Sequence, residues 1–595
     1  MNKIKITLLI WVLFFFSNTI YSQSVSYPLI TNIEGRNCSS LNGNWKFLID
    51  PMEWGVGSRF YLDREYADKT RYTKYNFDGA EVLTVPGDWN TQRPELLYYE
   101  GTMWYRKKFD CHLGKGNRLF LHFGAVNYES TVYLNGVEIG KHVGGYTPFN
   151  FEISGKIRDG ENSLVVKVNN ERHPDGIPES VFDWWNYGGI TRPVTLIETP
   201  ATFIRDYSVQ LSNKDKNLIN GWVQLDGDNK NAQVDIEIPE LKIRTTINTD
   251  ESGKAIFGIK AKPDYWSPAN PKLYTVNIVS TTDRISENIG FRSIETQGED
   301  ILLNGEKVFL RGVNIHAHVY GRSAYSKEDA ALLLGWAKEL GCNFVRLAHY
   351  PHSEAMVRVA EQMGIMVWEE IPVYWRIEWS NPETYKNAEN QLEETISRDK
   401  NRANIIIWSL ANETPYDDDA RLKFITRLAK KARELDGHSL ISAALSHWLE
   451  IKPGIWSVED KLIDVLDIVS FNQYWGWFRG TPEICDKMDW ELNFQKPVLM
   501  TEFGASAPYG NHGDKTEKYT EEHQAWYYQK TIEMIKRIPN LSGTCPWSLY
   551  EHRSPLRLMS EIEDGFSRAG LISSDGQRKE AFYVMKNWYD ELTEK

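Results

Sequence analysis

Five nearly unbroken apolar runs in the second half of the chain limit its fold most strongly. They are Asn343-Phe-Val-Arg-Leu347, Ile365-Met-Val-Trp368, Ile405-Ile-Ile-Trp408, Ile468-Val-Ser-Phe471 and Pro497-Val-Leu-Met500, and helical stretches separate them. A strand wetted on one face alternates apolar with polar residues, so runs this continuous belong to a parallel sheet with helices packed over both faces. About three hundred residues of this pattern predict a (β/α)8 barrel. No glycine-rich phosphate loop follows an early strand, which argues against a doubly wound nucleotide-binding sheet.

The pattern differs upstream. From Ser39 to Pro200 short runs alternate apolar and polar residues, as in Arg118-Leu-Phe-Leu-His-Phe-Gly124 and Ser163-Leu-Val-Val-Lys-Val168. Asn135-Gly136 lies between two such runs and predicts a tight hairpin, because both central positions of that turn take positive φ. Residues 23–200 are therefore expected to form a jelly-roll β-sandwich. Residues 201–292 keep the strand pattern in Val209-Gln-Leu211 and Val234-Asp-Ile-Glu-Ile238, with no polar motif. They predict a smaller, immunoglobulin-like β-sandwich. The barrel takes 293–595, and a chain of 595 residues is too long for one core.

Residues 1–22 have the features of a signal peptide: Lys3 and Lys5, an apolar stretch from Ile6 to Phe16, and a cleavage point after Ser22. That stretch is about half the roughly twenty residues that a membrane-spanning helix requires. The first cysteine, Cys38, lies well beyond the cleavage point, against a lipid anchor. The expectation is a periplasmic or secreted protein with no membrane insertion after cleavage. A formal net charge of −13 disfavours nucleic acid as a partner. Cys38, Cys111, Cys342, Cys485 and Cys545 are odd in number and contain no CxxC pair. They predict neither a disulfide framework nor a zinc site, although one bridge stays open. Aromatic residues reach 13%, with 22 Trp and 30 Tyr. Most must serve the core and domain interfaces, but flat rings also suit stacking on sugar faces.

Barrel enzymes carry their chemistry at the carboxyl ends of the strands, so the polar residues that follow each apolar run are the candidates. They are Arg346 and His349, Glu369 and Glu370, Asn412 and Glu413, Asn472 and Tyr474, Glu502, and Trp547 after the last strand. Hydrolysing a glycosidic bond with retention needs one carboxylic acid to protonate the leaving oxygen and one carboxylate to attack the anomeric carbon, about 5 to 5.5 Å apart. The spacing of Glu413 and Glu502 places them on strands four and seven, across one barrel mouth.

Asp399-Lys-Asn-Arg-Ala-Asn-Ile-Ile-Ile-Trp-Ser-Leu-Ala-Asn-Glu413 resembles the acid/base signature of glycoside hydrolase family 2, and Leu499-Met-Thr-Glu-Phe-Gly504 resembles its nucleophile strand. Gly101-Thr-Met-Trp-Tyr-Arg-Lys107 and Asp183-Trp-Trp-Asn-Tyr-Gly-Gly-Ile190 are similar to its amino-terminal domain. Arg346-Leu-Ala-His-Tyr-Pro351 and Asn472-Gln-Tyr-Trp-Gly-Trp477 are most like the β-glucuronidase branch. The resemblance implies Glu413 as general acid/base, Glu502 as nucleophile, Asn412 on the sugar 2-hydroxyl, and Trp547 as an aromatic floor. It also implies that Arg346 and Tyr474 hold Glu502 ionised, and that His316, His349, Glu370 and Asp183 contact sugar hydroxyls. It implies no cofactor and no metal, and the proline between His349 and His352 argues against a metal pair on one helix face.

β-Glucuronidases of this branch grip the substrate carboxylate with an Asn-x-Lys motif after the last barrel strand. Here Asp564-Gly-Phe-Ser-Arg-Ala-Gly570 puts Ser567 and Ala569 in those places, which leaves Arg568 and Arg553 as the cations able to replace the clamp. The leading reading is a retaining exo-β-glycosidase that removes terminal β-glucuronide or β-galactoside units from oligosaccharides of plant or algal polysaccharides. An endo-acting enzyme and a carbohydrate-binding protein with an inactive barrel are the alternatives, the latter disfavoured because both glutamates are present. Its partners are oligosaccharides or polysaccharide fragments, and homo-oligomer formation stays open.

Overall fold

The computed structural model describes residues 28–64 and 75–593, so the leader call lies outside the described residues. Two antiparallel sheets make the first domain. One has six strands, with Thr102–Cys111 and Gly160–Asn169 at its centre, and the other has four, with Val194–Thr199 and Arg118–Phe123 at its centre. Trp45, Trp89, Phe123, Val166 and Leu196 pack between them. The predicted hairpin joins Glu129–Leu134 to Val137–Val143, with φ of 52° at Asn135 and 83° at Gly136, the left-handed pair that the turn demands. The second domain packs a three-stranded sheet on a four-stranded one around Tyr207, Val223, Ile236 and Ile278.

The last domain is a closed parallel barrel. Its strands are β1, in two short pieces, Leu310–Arg311 and Asn314–Ile315; β2, Phe344–Leu347; β3, Met366–Glu370; β4, Ile405–Asn412; β5, Leu440–Leu445; β6, Val469–Asn472; β7, Val498–Glu502; and β8, Leu541–Thr544. Leu310–Arg311 pairs with β8 and Asn314–Ile315 with β2, so β1 closes the ring. Alternate residues of each strand face opposite ways. Phe344, Met366, Trp368 and Leu499 fill the interior toward the amino end together with Ile301 and Leu303, while Val345, Leu347 and Val367 face the surrounding helices. Burial on both sides is the physical reason for the continuous apolar runs.

Four helices follow β1 to β4 in turn: α1, Lys327–Glu339; α2, Glu354–Met363; α3, Pro382–Asp399; and α4, Asp419–Leu435. Helix α5, Glu521–Ile535, leads into β8, and α6, Glu580–Thr593, ends the described chain. The starts are encoded locally. Ser326 accepts from the Asp329 amide while the Asp329 carboxylate accepts from the Ser326 amide, and Asn381 caps α3 with Pro382 in its first turn.

The first domain leans over the barrel mouth. Trp184 packs with Phe182, Ala317, Tyr350 and Tyr374, and Arg192 donates to the Pro351 carbonyl at 2.6 Å. All five cysteines are free thiols, and no helix among the described residues is long and apolar enough to cross a membrane.

Candidate active site

Glu502 is the last residue of β7 and Glu413 follows β4, so the barrel's own geometry brings both to one rim. A single hydrogen-bonded chain connects them. Arg346, fully buried on β2, donates to Glu502 Oε1 at 2.6 Å and to Asn412 Oδ1 at 2.7 Å. Asn472 Nδ2 reaches the same Asn412 oxygen at 3.2 Å and Glu413 Oε1 at 2.9 Å. Tyr474 donates to Glu502 Oε2 at 2.7 Å, so each oxygen of that carboxylate has a donor. The Asn412 amide nitrogen is buried and has no partner, a donor left over for a ligand.

Arg346 does not serve Glu502 alone. It also meets both oxygens of Glu370 at 3.1 Å, and His349 Nδ1 lies 2.7 Å from Glu370 Oε1. Against the upward push of burial, Arg346 and His349 hold the Glu370 carboxyl down at about 2. Glu502 gets only a share of the same cation. Burial pushes its carboxyl up to about 8 and Glu413 adds to the push, while Arg346 and Tyr474 pull the other way. Arg346 and Tyr474, expected to hold Glu502 ionised and oriented, do reach its two oxygens and lower its carboxyl, but they work against burial with a guanidinium divided between two buried carboxyls.

Glu413 is half-buried and held differently. Its second oxygen accepts from Trp375 Nε1 at 2.9 Å. Glu413 and Trp375 have φ of 51° and 52°. Non-glycine residues adopt that left-handed conformation at a cost of about 1–3 kcal/mol, and such outliers concentrate where function demands them. Sequence reasoning missed Trp375, which lies in the loop after β3 with no periodicity to mark it.

Trp547 is buried and stacks on His349, with centroids 5.0 Å apart, while Tyr474, Ala348 and Ala569 pack around it. His316 and His552 lie beside it with rings 4.0 Å apart. His316 Nε2 and both ring nitrogens of His552 are buried without a partner. Burial keeps all three rings neutral: it moves His349 down to about 4, His552 to about 3, and His316 well below the usual range with help from His552. His552 is a second residue that the sequence did not reveal, since it follows no strand-end pattern. His352 is buried with Nε2 on the Ala348 carbonyl.

Two expected site residues are engaged elsewhere. Asp183 is bound by Arg557 and Ser554 and ties the first domain to the barrel's last loop. Arg568 donates to Glu551 at 2.6 Å, and Lys579 holds the other oxygen of that buried carboxylate at 2.7 Å. The guanidinium expected to replace the uronate clamp is thus part of a structural ion cluster. Neither side chain joins the hydrogen-bonded chain between the glutamates.

A barrel that carries a carboxyl pair at its mouth, beside unpaired hydrogen-bonding groups and a buried tryptophan, has the architecture of a glycosidase. Profiles of known families narrow the class: residues 38–200 match the sugar binding domain of glycosyl hydrolases family 2, 202–292 its central domain, and 294–592 its TIM barrel domain. The chain belongs to glycoside hydrolase family 2. A β-glucuronidase from Paenibacillus borealis is 26% identical over 622 residues, covering 94% of this chain and 98% of that protein. Among solved structures, a β-glucuronidase from an uncultured Clostridium superposes with a TM-score of 0.81 at 25% identity, covering 96% of this chain and 100% of the other. A family 2 β-galacturonidase from Eisenbergiella tayi does so with a TM-score of 0.79 at 25% identity, covering 95% and 98%. The activity class supported by these relatives is that of an exo-β-glycosidase.

Proposed function

We propose that the protein is a retaining exo-β-glycosidase in which Glu502 attacks the anomeric carbon and Glu413 protonates the leaving oxygen. The observation that carries this reading is the hydrogen-bonded chain Glu502–Arg346–Asn412–Asn472–Glu413, which fixes two carboxyl groups in unlike surroundings. In the first step the Glu502 oxygen bonds to the anomeric carbon as the glycosidic bond breaks, and the Glu413 proton goes to the departing alcohol. In the second step Glu413 takes a proton from water, which displaces Glu502 with net retention. The orphaned Asn412 amide suits the sugar 2-hydroxyl, where a hydrogen bond strengthens as the oxocarbenium-like state forms.

A neutral sugar such as a β-galactoside fits the pocket better than a uronide. Arg346, Arg557 and Arg568 are each paired with carboxylates already, and the three histidines are neutral. Ala569 packs against Trp547 where the family's lysine would stand. A hydrogen bond to a charged group contributes about 1.5–3 kcal/mol, so a carboxylate without its clamp loses that much per missing contact. One feature favours the uronide as a second reading: Arg553 forms no ion pair among the described residues, and its guanidinium rests 4.4 Å over Phe566. The predicted leader is the support for a periplasmic or secreted enzyme, and a substrate among oligosaccharides of plant or algal polysaccharides is part of the same proposal.

The test compares initial rates on 4-nitrophenyl β-D-glucuronide, β-D-galactoside, β-D-glucoside and β-D-xyloside, with Glu502→Gln as the control. A neutral sugar should lead. A glucuronide lead that Arg553→Met abolishes would establish the second reading, and no turnover of any glycoside would remove both.

A further inference from the structure

Glu413 also borders an open cleft of about 660 Å³, and neither Arg346 nor Tyr474, the residues that fix Glu502, lines it. Its walls come from two domains: Trp375, Arg376, Tyr416 and His447 from the barrel, and Glu179 and Val181 from the loop of the first domain that leans over the mouth. The position decides what enters. A general acid stands between the sugar being cleaved and the group that leaves, so space beyond Glu413 and away from Glu502 belongs to the leaving group.

The lining suits a sugar. Tyr416 is 45% exposed, and its ring lies stacked on the imidazole of His447, a flat and braced platform. His447 Nδ1 lies 2.7 Å from the Glu459 carbonyl and donates to it, which fixes the ring that braces Tyr416. Arg376 is exposed and has no ion pair among the described residues, and Glu179 and Asp417 offset its charge on the same walls. Hexopyranoses combine an apolar face with a rim of hydroxyls, which this combination of ring and mixed charges can engage. A cleft of this size is within the range that holds small organic ligands, enough for one or two sugar rings.

We infer that this cleft is a binding subsite for the leaving saccharide, built on the Tyr416 platform, and that the protein is made to cleave neutral oligosaccharides in preference to simple glycosides. The inference rests on the assignment of Glu413 as the acid. Glycosyl fluorides test it, because fluoride departs without occupying a leaving-sugar site. The probes are β-D-galactosyl fluoride and a β-1,4-linked galactosyl disaccharide where the galactoside leads the nitrophenyl panel, and the glucosyl pair where the glucoside leads. Tyr416→Ala should lower kcat/KM for the disaccharide about tenfold more than for the fluoride, and Tyr416→Phe, which keeps the ring, should restore most of the difference. Equal losses on both probes, or no loss on either, overturn the subsite while the catalytic assignment stands. A Glu413→Gln variant that keeps wild-type kcat/KM on the disaccharide overturns the assignment of Glu413 and the subsite with it.

Discussion

Glu502 and Glu413 end two strands of the same barrel, but their surroundings differ in kind. The Glu502 side is closed: the carboxylate is 4% exposed, both oxygens have donors within 2.7 Å, and the cation beneath it is shared with Glu370. The Glu413 side is open: the carboxyl is half-buried, is steered by Asn472 and Trp375, and borders the cleft. An attacking group must be held still at one carbon, whereas an acid that later becomes a base must meet first a leaving group and then water. The barrel supplies two strand ends, and the loops that follow them make one rigid and the other accessible.

Exchanging the two assignments is the strongest way to break that contrast. Glu502→Ala and Glu413→Ala should each remove activity on natural linkages, the former by about 10⁴-fold or more. Added azide separates them. In Glu502→Ala it should enter the face vacated by the nucleophile and give the α-glycosyl azide from an activated substrate, whereas in Glu413→Ala it should intercept the glycosyl-enzyme and give the β-glycosyl azide. Proton NMR of the products reads the anomer, and reversed anomers would exchange the roles. Glu413→Gln sharpens the same point. Loss of general acid help costs about 10²–10⁴-fold, so the disaccharide should suffer by that amount and the nitrophenyl glycoside, whose leaving group needs little protonation, by much less.

The contrast predicts a structural asymmetry as well. Arg346 neutralises two buried carboxyls, and removing one partner of a buried ion pair costs about 3–5 kcal/mol. Arg346→Met should therefore lower the stability of the barrel by about that much in urea unfolding. Trp375→Phe removes only a donor to the half-exposed Glu413 and should leave the unfolding midpoint almost unchanged. Equal losses would mean that the open side is as tightly built as the closed one.

Much of this was legible from residue order. Burial of β2, β3, β4, β6 and β7 on both faces left apolar runs that place Glu413 and Glu502 at strand ends. Strand β5, Leu-Ile-Ser-Ala-Ala-Leu, and β8, Leu-Ser-Gly-Thr, are rich in small residues and carry a weaker signal, so they escaped notice. Side-chain direction was not legible at all. Arg568 and Asp183 are placed close to the right motifs, but their charges are satisfied by Glu551 and Arg557, partners brought together only by folding. The ionisation of Glu502 was hidden for a related reason, since the sharing of Arg346 with Glu370 is a fact of three dimensions.

That sharing leads to the smallest effect and the finest test of the closed side. Glu502 must be ionised to attack, and burial raises its carboxyl well above the ordinary range, so kcat/KM should rise with pH along an acid limb that lies above that of a solvated glutamate. The Tyr474 hydroxyl donates to the ionised form and therefore lowers the value. Tyr474→Phe removes that donor and leaves the ring. The folded protein then holds the Glu502 proton more tightly, and the limb should move to higher pH by about one unit, the equivalent of 1.4 kcal/mol for one hydrogen bond to a charged group. A limb that stays in place while kcat falls would mean that Tyr474 only positions the carboxylate and that Arg346, even divided, sets its charge.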